Sequence, residues 1–256
     1  MIVRVEPVMG TVVSFHLDAG ELSEADATAA IDDACSLLHR MDDVFSTWKP
    51  ESPMSRLRAG EIDLSEAPPE VSVVLELCRA AKQMSGEWFD PWAMPGGLDP
   101  TGLVKGWAVE EARAVVESAG AAAGIVNGGG DIATFGEAPG GGAWRVGIRH
   151  PWRASALACV LEVAGAVATS GAYERPGHLI DPRDGSEPGV TASATVTGPS
   201  LALADALATA LAVGGDEVLE LVRAAVGYDA YLIRADGSEA ATEGVVFAAP
   251  ELPANL

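Results

Sequence analysis

The run "LALADALATALAVGG", Leu201 to Gly215, constrains the fold more than any other stretch of the chain. Ala and Leu are strong helix formers, and here they occupy every face, so the segment can only be a helix enclosed by other elements. Yet it carries a carboxylate, Asp205, and a hydroxyl, Thr209, at i and i+4, one turn apart on a single face. A carboxylate in apolar surroundings is costly unless something meets it. Two readings follow. The helix dipole and a local backbone bond satisfy the pair, or the two side chains share a hard cation. Mg²⁺ takes one or two carboxylates, hydroxyls or carbonyls and keeps places for phosphate oxygens.

Elements able to enclose such a helix are legible on both sides of it. The start alternates as two short strands around a turn at Gly10. Ser23 caps a helix through "EADATAAIDDACSLLHRMDDVF", and a second helix from about Pro69 to Ser85 is expected to bury Val73, Val74, Leu77 and Cys78. A third, "VKGWAVEEARAVVESAG", stops at Gly120. Strands then dominate: "GIVNGGG", "WRVGIRHP", "LACVLEVAG", "AVATSG" and "TASATVTG", with "GEAPGGGAW" as a hairpin tip. After the Ala-rich helix and "DEVLELVRAAVG", "YDAYLIRADG" and "GVVFAAP" read as a closing hairpin. Helices early and strands late indicate an α+β protein. No internal repeat or linker is visible, so residues 1–256 are expected to form one domain.

The formal charge of −21 excludes a nucleic-acid tracking surface, which needs a basic face. No apolar stretch is long enough for a membrane span. The opening residues read as strands rather than a signal peptide, so the cytoplasm is the expected compartment. Cys35, Cys78 and Cys159 are far apart and in no metal-binding spacing, as suits free thiols.

Three segments carry chemistry. In "LDPTGLVKGWAVEEA", Lys105 at the start of a helix is either a solvated lysine or one that meets a phosphate at the helix N-terminus. The glycines of "GIVNGGGDIATFG" do not form a dinucleotide fingerprint and suit a tight turn or close backbone approach. "ATSGAYERPGHLIDPRDGSEP" gathers Thr169, Ser170, His178, Asp181 and Arg183 in a loop, without a nucleophile elbow.

Eight fragments in order resemble one family, the FAD:protein FMN transferases or ApbE-like flavin transferases. They are "MGT" from Met9, "FSTWKPESPMSRL" from Phe45, "FDP" from Phe89, "LDPTGLVKGWAVE" from Leu98, "VNGGGDI" from Val126, "ATSGAYER" from Ala168, "HLIDPRDG" from His178 and "ADALATAL" from Ala204. The resemblance implies a T-fold type α+β unit of two interleaved lobes with the flavin cleft between them. It implies Mg²⁺-dependent transfer of FMN from FAD to a threonine of a target protein, with release of AMP. An FAD pyrophosphatase and a non-catalytic flavin-binding protein are the alternatives. Carried over, Asp205, Thr209 and the Gly102 carbonyl would hold the cation. Met9, Trp48, Trp88, Phe89, Asp90, Asp99, Lys105 and Ile180 would line the FAD site, with catalysis at Asp205 and proton handling at His178. Two departures stand out: Pro100 and Thr101 replace the family's usual Leu-Gly, and Ala208 stands where some relatives carry a second acid.

Overall fold

Antiparallel pairing organises this chain, whose computed structural model describes residues 1–171 and 179–249. Strands β1 (Ile2–Val8) and β2 (Thr11–Asp18) form a hairpin closed by Met9 and Gly10, both at positive φ (55° and 66°). That turn twists with the strands, and it holds Met9 in a conformation that glycine adopts without cost. Helices α1 (Glu24–Phe45), α2 (Pro53–Arg58), α3 (Pro69–Met84) and α4 (Thr101–Ser118) follow. Next come β3 (Ala123–Gly128), β4 (Asp131–Phe135), β5 (Trp144–Arg149), β6 (Leu157–Val163), β7 (Ala166–Ser170) and β8 (Thr191–Gly198). Helices α5 (Leu201–Gly214) and α6 (Asp216–Ala224) and strands β9 (Asp229–Arg234) and β10 (Glu239–Ala241) complete the order.

Among the described residues, eight strands form one sheet in the order β1-β2-β3-β4-β7-β8-β9-β10, and β5 and β6 pair separately. The large sheet falls into two halves of one plan. In each, a strand pair is followed by helices and a second strand pair, so that β2 pairs with β3 and β8 with β9 across the helical insertions. The halves meet where β4 pairs with β7, and α4 lies along α5 above that seam. This repeat of plan has no counterpart visible in the sequence. On the opposite face, Val146, Ile148, Leu161 and Val163 of the β5–β6 pair pack on Val167, Tyr231 and Ile233.

Helix α5 is enclosed as its composition requires: every residue is buried except Leu203, Thr209 and Gly214, which are partly so. Its first turn is capped twice. The Ser200 hydroxyl faces the Leu203 amide, and Glu110 of α4 accepts from the Ala202 amide (3.0 Å) and the Ser200 hydroxyl (2.9 Å). Ser23 caps α1 by accepting from the Asp26 amide.

Several sequence expectations are corrected. In α3 the buried face is Val71, Val74, Leu75, Cys78 and Ala81; Val73 is half exposed and Leu77 only partly buried. Helix α4 begins a turn earlier than expected because Asp99 accepts from the Thr101 amide and hydroxyl and starts the helix there. "GEAPGGGAW" is a crossover between sheets, since β4 pairs with β3 and β7 and β5 with β6. The closing hairpin pairs β9 with β10, while Phe247 of "GVVFAAP" bridges to Leu161 of β6. Cys35 and Cys78 are buried free thiols, and Cys159 is a partly buried one. No helix among the described residues is long and apolar enough to cross a membrane.

Candidate active site

Asp205 does not bond to its own helix. Its Oδ2 accepts from the Gly106 amide of α4, 3.0 Å away and 99 residues back in the chain. In a regular helix that amide would answer the Gly102 carbonyl. The contact exists because Gly106 has no side chain: a Cβ there would fall 2.6 Å from the Leu201 carbonyl oxygen and 2.8 Å from Asp205 Cβ. The glycine thus sets the crossing of α4 and α5.

A second buried carboxylate meets the first. Asp131 opens β4 directly after the Gly129–Gly130 turn and is 1 % exposed; Asp205 is 3 % exposed. Lys105 Nζ approaches Asp131 Oδ2 to 2.5 Å, and the Thr169 amide donates to Asp131 Oδ1 (3.2 Å). Lys105 is therefore in the second turn of α4 rather than at its start, and a carboxylate meets its charge. Asp131 Oδ2 receives no directed hydrogen bond, so the lysine contact is one of charge. Burial pushes the Asp205 carboxyl well above the ordinary carboxylate range, and the Asp131 charge pushes it further. Lys105 and the Gly106 amide pull it back only in part.

A pH dependence follows. The native state keeps a proton on Asp205 at pH values where the unfolded chain has lost it, so this group's contribution to stability falls as pH rises above the carboxylate range. In chelator, urea midpoints are expected to decline between pH 5 and pH 8 on this account. A midpoint that rises across that range would contradict the assignment.

Hydroxyls complete the cluster. Thr209 Oγ1 lies 3.4 Å from Ser170 Oγ at the end of β7. Gly102 packs beside it, where a Cβ would be 3.8 Å from Thr209 Oγ1 and 3.2 Å from the buried ring of Phe89. Strand and helix ends from both halves of the sheet thus bring Phe89, Gly102, Lys105, Asp131, Ser170, Asp205 and Thr209 to the seam.

The remaining expected residues lie around this cluster at different removes. Trp88 is partly buried against α5, where a Cβ on Gly214 would meet its indole at 2.6 Å. Its other side carries the Arg183 guanidinium, 3.3 Å from the ring centroid. Arg183 is itself held by both oxygens of Asp181 (2.9 and 2.6 Å), which lowers the Asp181 carboxyl below its usual range. Ile180 precedes Asp181 and is partly buried. Asp90 pairs with Lys82 (2.7 Å), and Asp99, beyond its capping role, lies 3.9 Å from Arg58. Arg58 donates to the Gly96 and Pro95 carbonyls and shares a depression of about 400 Å³ with Trp48, which is 92 % exposed. Trp48 is therefore not part of the buried cluster. Met9 is partly buried in the β1–β2 turn, beside the Gly129 turn whose amide donates to the Val12 carbonyl. His178 lies outside the described residues.

Ser170 belongs to a segment the sequence marks as chemically dense, whereas Asp131 is not marked by it as a site residue. Strand parity carried the signal for Asp131: in "DIATF" it alternates with Ile132 and shares its face with Ala133, a core position. A carboxylate at a core position is the anomaly to follow.

Comparison with known proteins places the chain in a family. A family model described as the ApbE family matches residues 9–96 and 94–232. An FAD:protein FMN transferase of Rhodobacter capsulatus is 35 % identical over 168 residues, 62 % of this chain. That match spans only 31 % of the relative's length. Among solved structures, the ApbE protein of Thermotoga maritima superposes with a TM-score of 0.82 at 21 % identity, covering 94 % of this chain and 97 % of its own. The flavin transferase ApbE of Vibrio cholerae gives 0.80 at 22 % identity with the same coverages. At such identities the superpositions speak for the fold, while the family model spans the strands and helices that build the seam: the chain belongs to the ApbE family.

Proposed function

We propose that this protein transfers FMN from FAD to a threonine hydroxyl of another protein, with Mg²⁺ as cofactor, and releases AMP. Membership of the ApbE family and the name of the Rhodobacter relative support the reaction class. The observation that carries the reading is the buried Asp131–Asp205 pair, whose two carboxylates face one lysine.

The donor set fits the cation. No three His, Cys, Asp or Glu side chains gather among the described residues, so a site here offers at most two carboxylates plus hydroxyl and carbonyl oxygens. Mg²⁺ accepts such a set, and the buried Asp205 carboxyl, held by one backbone amide, supports a cation there. Asp205, Thr209 and the Gly102 carbonyl would hold the ion. Bound there, it would neutralise charge on the diphosphate oxygens.

The chain's own residues supply the rest. Lys105 offers a second positive charge, and Asp131 fixes its direction from β4. Phe89, buried beside Gly102, closes the apolar side of the cluster. Trp88, with Arg183 over its ring, would line the FAD site together with Met9, Trp48, Asp90, Asp99 and Ile180 in this reading. In the transfer, the threonine oxygen of the acceptor bonds to the phosphorus of the FMN half as the bond to the AMP phosphate breaks. AMP leaves with that electron pair. The threonine proton needs an acceptor, for which His178 is the candidate.

The test is to incubate the protein with FAD, Mg²⁺ and candidate threonine-bearing proteins, following AMP by chromatography and covalent flavin by in-gel fluorescence. AMP together with fluorescent acceptor is the expected result. Free FMN and AMP with no labelled protein would turn the assignment to a pyrophosphatase, and intact bound FAD would overturn catalysis altogether.

A further inference from the structure

The loop joining β5 to β6 is chemically unlike the rest of the surface. The chain has 37 acidic and 16 basic residues, yet residues 138–161, from the approach to β5 into β6, contain no Asp or Glu; Arg145 and Arg149 stand on β5 with partners of their own, and His150 and Arg153 lie in the loop itself. Trp152, at the tip, is 55 % exposed.

The loop is held rather than loose. The His150 amide donates to the Ala156 carbonyl (3.0 Å) and the Ala156 amide to the Arg153 carbonyl (2.9 Å). The Trp152 amide donates to His150 Nδ1 (3.2 Å), and the two rings meet edge to face at 5.7 Å. An exposed tryptophan flanked by arginines on a fixed backbone has the composition that dominates protein–protein binding energy, at low ordering cost. Arg153 is exposed and forms no ion pair with the described residues. The adjoining β9–β10 hairpin carries two carboxylates, Asp236, which accepts from the Ser238 amide and hydroxyl, and Glu239, which accepts from the Tyr231 hydroxyl.

The loop also lies at the end of the sheet that carries the site. Ser170, beside Thr209, pairs with Ala194; Thr191, at the start of the same strand, pairs with Arg234 at the end of β9. The turn that follows carries Gly237, where a Cβ would rest 3.9 Å from the Trp152 ring. The strand register therefore puts this surface and the carboxylate cluster toward the same end of the strands, on opposite faces of the sheet.

We propose that the β5–β6 loop is the docking surface for an acidic segment of the protein that receives the flavin. Charge complementarity identifies the occupant: in a molecule of net charge −21, this rigid cationic-aromatic loop is where an acidic chain is attracted. The acidic surroundings oppose a long polyanion such as nucleic acid, whose phosphates would run beyond the loop. The identity of the partner as flavin acceptor rests on the transfer reading above; the affinity for an acidic segment does not.

The experiment uses two fluorescein-labelled twelve-residue peptides, one of Glu and Val around a central threonine and one with Lys in place of Glu. Their binding to the full chain is read by fluorescence anisotropy, beside a labelled twelve-nucleotide oligothymidine. The acidic peptide is expected to bind, and to bind at least about 10-fold more weakly to Trp152→Ala and to Arg153→Glu, as loss of an interface hot spot requires. Raising salt from 50 to 500 mM is expected to weaken it further. AMP release from FAD is measured on the same preparations and is expected to be unchanged, because neither residue belongs to the carboxylate cluster. Equal binding of the lysine peptide, undiminished binding by both variants, tighter binding of the oligonucleotide or no binding at all overturns the proposal. Absence of AMP release from every preparation, with the peptide pattern intact, overturns the transfer reading and leaves the docking surface standing.

Discussion

Asp205→Asn is expected to abolish Mg²⁺-dependent AMP release from FAD while leaving the protein at least as stable as the wild type in chelator. The amide keeps the shape of the carboxylate, and its oxygen can still accept from the Gly106 amide. What it loses is the charge. On the proposed reading, a cation held there would lose a ligand, and the phosphoryl oxygens would lose part of their neutralisation. Removal of one donor to developing charge typically costs about 10²–10³ in kcat, and a cation ligand should cost no less. The same substitution removes a buried charge that repels Asp131, so the fall in stability with rising pH should largely disappear. AMP release by single turnover and urea midpoints in EDTA check the two halves. A variant that is inactive only because it is unfolded would show the second effect with the opposite sign. A folded variant of full activity would remove the cation from Asp205.

Gly106→Ala is the second large effect, and it acts through packing. The added methyl would fall 2.6 Å from the Leu201 carbonyl oxygen, 3.1 Å from its carbon and 2.8 Å from Asp205 Cβ. Two of those obstacles are backbone, so the helices rather than a side chain must move. Overpacking of this kind costs about 1–3 kcal/mol, and the rigid obstacles place it at the upper end. For a chain of this size the melting temperature should fall by roughly 6–12 °C, at about 2–4 °C per kcal/mol. The Gly106 amide is also drawn away from Asp205, so FAD cleavage should drop in the fraction that remains folded. Gly189→Ala is the control: nothing lies within 4 Å of a Cβ there and its φ suits any residue. Thermal melts of both variants, with AMP release at a temperature where both are folded, test the crossing. Equal melting temperatures would show that α4 and α5 have room to spare.

How much of this was open to reading varies with the range of the interaction. Helix α1, its Ser23 cap and the strands of the first hairpin are local, set by periodicity and by one capping hydroxyl, and the sequence displays them directly. The α4 start was misread because the boundary is set by Asp99 and Pro100, which precede the apolar pattern. That boundary puts Lys105 not at a helix end, where an anion would be its natural partner, but in the second turn, where Asp131 meets it. The glycines at 128–130 were legible as a turn or close approach. What they carry, a carboxylate on the first position of the next strand, was not. Trp48 illustrates the converse: the motif around it is recognisable, but only the structure shows it exposed over a depression beside Arg58, away from the carboxylates.

From its own residues the sequence determined that α5 is a buried helix, that Asp205 and Thr209 share a face, and that the chain mixes helices with antiparallel strands. All three follow from side-chain spacing along a few turns of backbone. Only the tertiary structure decided what Asp205 meets, because Gly106, Lys105 and Asp131 lie some 70 to 100 residues away from it. Such contacts depend on how closely two helices cross and on where two sheet halves join, and neither quantity is written in the periodicity of any single segment.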